Sequence, residues 1–90
     1  MNEKDEVFFR ALGQRIAQAR KENHLTQKQL AEHLGIAQQT MAHYEGAKLK
    51  VSASFLPDLS RLLNRSVDEL LGMTEKQDKT QRKSNFSRLK

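Results

Sequence analysis

Two adjacent glutamines, Gln38 and Gln39, open a short amphipathic segment and are the side chains of this chain best suited to selective hydrogen bonding. A carboxamide presents an acceptor and a donor side by side, which complements the N7 and N6 edge of adenine in a DNA major groove. Thr40 follows directly, and His43 lies one turn beyond Gln39 near the same face. Each is a candidate for a base or phosphate contact, and for His43 a solvated surface position is an equal alternative. Catalytic chemistry is poorly provided for. His24, His33 and His43 lack the i, i+4 spacing of a helical metal site, and there is no cysteine to join them. Neither a Gly-rich phosphate loop nor a nucleophile constellation is present. The sequence therefore implies no enzyme, no metal and no cofactor.

The elements that would hold the glutamines can be read from the flanking residues. Thr26 and Gln29 have the spacing of a capping box, in which each side chain satisfies a backbone N–H of the other residue. Leu30, Ala31 and Leu34 then form a narrow apolar stripe, and Gly35 stands where a helix end calls for left-handed backbone. Ile36 carries the apolar run past the turn, and Met41 and Tyr44 share a face of the next helix. Ala31 is small where crossing helices would bring their backbones together. Two helices joined by so short a turn, the second tipped with amides, form an arrangement suited to entering a major groove.

Outside this pair the pattern is helical throughout, so the fold class is all-α. A first helix is expected from near Glu6 to about Asn23, with Phe8, Leu12, Ile16 and Ala19 on one face and Gly13 at a close approach. Asn23 and His24 turn the chain into Leu25, which is expected to cap the core. Residues 46–53 read as a loop. A fourth helix from about Ser54 to Leu63 is expected to pack Phe55, Leu59 and Leu62, with Leu56 and Leu63 flanking, and Pro57 falls in its first turn. Ser66 and Glu69 form a second capping box, starting a short fifth helix that ends near Gly72.

Taken together, these residues resemble the lambda-repressor/Cro-type (XRE) family of helix-turn-helix transcriptional regulators. The resemblance runs from about Phe8 to Leu71 and is carried by RKENHLTQKQLAEHLG, MAHYEGAK, FLPDLSRLLN and SVDELLG. It implies a compact five-helix domain with the helix-turn-helix at helices 2 and 3. The arrangement of Gln27, Gln38 and Gln39 looks especially like the glutamine-rich reading head of the phage 434 repressor. By that resemblance Gln38 and Gln39 read bases, while Gln27 holds a phosphate and buttresses the first recognition glutamine. Lys48 and Lys50, in the loop after the recognition helix, match backbone-contacting positions, and Lys28 could act likewise from the preceding helix. Arg20 and Glu45 match a structural ion pair that would fix the recognition helix to the scaffold. One position departs from the family pattern: Ala37 stands where relatives often carry a capping Ser or Thr.

The net charge of +5 is not spread over the domain. Residues 1–75 carry ten Lys/Arg and ten Asp/Glu, whereas residues 76–90 hold six basic residues against Asp78 alone. Residues 1–75 are thus the expected DNA-binding domain, and residues 76–90 a flexible basic tail that either attracts phosphate without sequence preference or is a solvated linker. Phe86 and Leu89 in that tail suggest the start of a further C-terminal segment. No apolar run approaches the ~20 residues of a membrane span, and the acidic start with Glu3, Asp5 and Glu6 is unlike a secretory signal, so a cytoplasmic protein is expected.

The leading function is a sequence-specific transcriptional regulator, a repressor, acting as a homodimer on a palindromic double-stranded operator, because one short helix covers only a few base pairs. The fifth helix, with Leu70, Leu71 and Met73, is either a dimer surface or the completion of the core. Two alternatives remain open: an antitoxin-type DNA-binding protein that also neutralises a protein partner, and a protein-interaction module that binds no DNA.

Overall fold

The computed structural model describes residues 1–73, in which every regular element is helical. The order is α1 (Glu3–Glu22), α2 (Gln27–Leu34), α3 (Gln38–Glu45), a single 3-10 turn (Ala53–Phe55), α4 (Leu56–Leu63) and α5 (Val67–Leu71). This is the expected five-helix architecture, with α2 and α3 as the helix-turn-helix. The readings of the basic tail, including Phe86 and Leu89, lie outside the described residues.

Local chemistry accounts for the helix ends. The Thr26–Gln29 and Ser66–Glu69 capping boxes are both closed in both directions. Gly35 ends α2 at φ 73°, a conformation costly for a residue with a Cβ, and the following Ile36 N–H returns to Ala31 O at 3.0 Å. α1 begins earlier than expected, at Glu3 rather than near Glu6. Asn2 accepts the Asp5 N–H at 2.8 Å, and the acidic Glu3, Asp5 and Glu6 suit the positive end of a helix dipole.

Leu12, Ile16, Ala19, Leu30, Ala31, Met41, Tyr44, Val51, Leu59, Leu63 and Leu70 form the buried core. One expected contributor is corrected. Phe8 is exposed, and Phe9 packs on the core in its place. A residue seven positions before Ile16 returns to within about 20° of its azimuth, whereas one eight positions before it, Phe8, lies about 80° away. In α4 Leu59 is fully buried as expected and Leu63 joins it, while Phe55, Leu56 and Leu62 are half-buried and pack against the core. Phe55 belongs to the 3-10 turn rather than to α4, so the helical period does not extend back to it.

Two contacts lock α1 against its neighbours. A Cβ built on Gly13 would lie 2.5 Å from Tyr44 O and 2.6 Å from Glu45 O, so the α1 backbone rests directly on the last turn of α3. At the other end of α1, Asn23 Nδ2 donates to both Ala19 O and Leu63 O at 2.8 Å, tying that end to the end of α4. α3 is thereby fixed by backbone contact with α1.

Candidate nucleic-acid interface

α3 is short, and its burial pattern settles which way it faces. Met41 is fully buried and Tyr44 nearly so, which turns Gln38 and Gln39 outward; both are exposed, at the first two positions of the helix. Thr40 and His43 are half-buried along its flank. Ala37 is the N-cap, extended at φ −70° and ψ 150°, and it supplies no side-chain hydrogen bond. The first-turn N–H groups of α3 therefore have no capping side chain.

The far end of α3 is held by a charged network. Arg20 Nε donates to Glu45 Oε2 at 2.7 Å and Nη2 donates to Oε1 at 3.1 Å, a two-pronged pair with side chains only 11% and 7% exposed. The third guanidinium nitrogen, Nη1, donates to Leu25 O at 2.8 Å in the α1–α2 turn. Gln27 Nε2 donates to the same Glu45 Oε1 at 2.9 Å. One carboxylate thus gathers α1, the first residue of α2 and the last residue of α3. No buried side-chain nitrogen or oxygen among the described residues lacks a partner.

The candidate phosphate-binding lysines lie on α2 and in the loop after α3. Lys28 on α2 is exposed, as is Lys48. The loop carrying Lys48 and Lys50 is pinned at both sides. Ala47 adopts φ 62°, the Lys48 N–H donates to His43 O at 2.8 Å, and Val51 is buried in the core. Lys50 Nζ lies 3.1 Å from Asp5 Oδ2, in the first turns of α1. Among the described residues no group of His, Asp and Glu could hold a metal ion, and no helix is long and apolar enough to cross a membrane.

The structure therefore places Gln38, Gln39, Thr40 and His43 on one short helix and joins Gln27, Arg20 and Glu45 in one network behind it. The bond from Gln27 to Glu45 and the Asp5–Lys50 pair are not visible in the sequence. Their partners stand 18 and 45 positions apart and belong to no local pattern. Asn23 has the sequence signature of a turn residue, and an Asn directly after a helix is also a recognisable signal for side-chain bonding to free carbonyls.

Comparison with known sequences agrees with this geometry. The family described as a helix-turn-helix domain matches residues 13–74. YobD of Bacillus subtilis (strain 168), named as an uncharacterized HTH-type transcriptional regulator, is 43% identical over 72 residues, which are 79% of this chain and 64% of that protein. ImmR of the same organism, an HTH-type transcriptional regulator, is 38% identical over 65 residues, 72% of this chain and 51% of that protein. The chain thus spans about half to two-thirds of the length of these relatives. With a match that covers most of the chain and takes in α2, the turn and α3 together, this protein belongs to the helix-turn-helix domain family.

Proposed function

We propose that this chain is the DNA-reading part of a transcriptional repressor, which inserts α3 into the major groove and reads bases with Gln38 and Gln39. The observation that carries the reading is the orientation of α3: its apolar side is sealed into the core, and two amides project from its outer end. A groove-binding helix presents its N-terminal residues to the base edges, and Gln is matched to adenine there. Thr40 and His43 flank the amides as secondary base contacts. Lys28, Lys48 and Lys50 hold phosphates, and Gln27 adds a phosphate contact through the part of its amide not committed to Glu45. The complementarity of a glutamine amide to the adenine edge supports adenine-containing half-sites. A homodimer on a palindrome supplies the specificity that one short helix lacks. The names of YobD and ImmR, both HTH-type transcriptional regulators, are consistent with a role in transcription.

A salt titration tests the DNA-binding part of this reading. Binding to a labelled duplex should weaken linearly on a logarithmic salt scale, and Lys48→Ala should lower the slope by about 0.9, the share of one phosphate contact. Gln38→Ala should weaken binding to a preferred sequence with the slope unchanged. Absence of salt-dependent binding would favour a protein-interaction module instead.

A further inference from the structure

The pair between Lys50 and Asp5 sets a carboxylate against one of the lysines offered to DNA. Lys50 Nζ lies 3.1 Å from Asp5 Oδ2, with side chains 56% and 36% exposed. The backbone that carries the lysine is held in place, because the next residue, Val51, is anchored in the core and the Lys48 N–H is hydrogen-bonded to His43 O, while the exposed side chain is free to turn. The backbone of Asp5 is likewise held, since its own N–H donates to the Asn2 side chain at the start of α1. The same helical turn carries Glu3 and Glu6, of which Glu6 faces Arg10.

We propose that Asp5 is an intramolecular competitor for the phosphate that Lys50 would hold, so that the first turns of α1 set the affinity of the reading head for DNA. This rests on the DNA-reading function proposed above. An ion pair this exposed is weak and readily exchanged, so a phosphate can displace the carboxylate. Displacement has a cost all the same: Asp5 loses its partner and is left beside a second anion. Asp5 thus acts as a built-in phosphate mimic, and removing its charge frees Lys50 without altering any residue that faces the bases. In a domain whose residues 1–75 balance in charge, freeing one cation is a sizeable change.

The test compares wild type, Asp5→Asn, Lys50→Ala, the double variant and Glu3→Gln on one duplex across a salt series, with circular dichroism to check folding. Asp5→Asn should tighten binding about two- to five-fold at low salt and steepen the salt slope by up to about 0.9. In the Lys50→Ala background the same substitution should lose most of that gain, and Glu3→Gln should give less than Asp5→Asn. If Asp5→Asn folds poorly, Asp5→Ser provides the same comparison while keeping a polar residue at the helix start. Unchanged or weaker binding by Asp5→Asn would overturn the proposal, as would an equal gain from Glu3→Gln or a gain that persists without Lys50. If wild type itself shows no salt-dependent binding, the DNA-reading function fails and the competition fails with it.

Discussion

Alanine at position 37 leaves α3 to begin without help from its N-cap side chain. It occupies the N-cap with extended backbone and leaves the first-turn N–H groups without a capping oxygen. Ala37→Ser should stabilise the protein by about 0.5–2 kcal/mol, seen as a rise of several degrees in thermal unfolding. The same change places a hydroxyl where a methyl now stands beside Gln38, so base preference at the neighbouring pair should shift as well. An unchanged melting temperature would mean that α3 does not start at Gln38. At this scale the sequence was informative wherever residue type and local position together determine chemistry: the two amides at a helix start, the capping boxes and the glycine after α2. It was uninformative about Gln27, whose bond to Glu45 depends on where another helix ends.

Between elements, the junction of α1 with the end of α3 matters most. Gly13 lets the two backbones touch, and Arg20 clamps Glu45 from one side while Gln27 holds it from the other. Gly13→Ala would push a methyl into two backbone carbonyls that cannot rotate away, costing about 1–3 kcal/mol in denaturant unfolding and displacing α3. Arg20→Ala should cost about 3–5 kcal/mol, because Glu45 would be left buried with its charge unmatched. It should also weaken DNA binding by loosening α3. Arg20→Lys should recover little of either, since an ammonium cannot make the two-pronged contact and reach Leu25 O as well. Loss of neither stability nor affinity in Arg20→Ala would refute the clamp. The helices themselves were legible from period and caps, but their phase was not always so. Stepping back four residues at a time from Ile16 arrives at Phe8, whereas the core takes Phe9, because small azimuthal errors accumulate along a long helix. For α4, the 3-10 turn before it broke the period that had been extended to Phe55.

For the whole molecule, the decisive property is that the domain is not a basic slab. Arg10, Arg20, Arg61 and Arg65 each face a carboxylate, and Lys50 faces Asp5. Residues 1–75 balance in charge, so under the proposed function discrimination would fall to the amides on α3. The overall architecture could be read from the sequence because helix caps, turn glycine and apolar stripes agreed with one another. The charge pairing could not, since it depends on surfaces brought together only by folding.

Whether Gln38 and Gln39 read bases can be decided by selecting bound duplexes from a random library. Wild type should enrich a half-site containing adenine, repeated symmetrically at about one helical turn if the protein acts as a dimer. Gln38→Ala, selected in parallel, should lose preference at one position while keeping the rest. Enrichment of no sequence by wild type, or an identical motif from both proteins, would contradict the account.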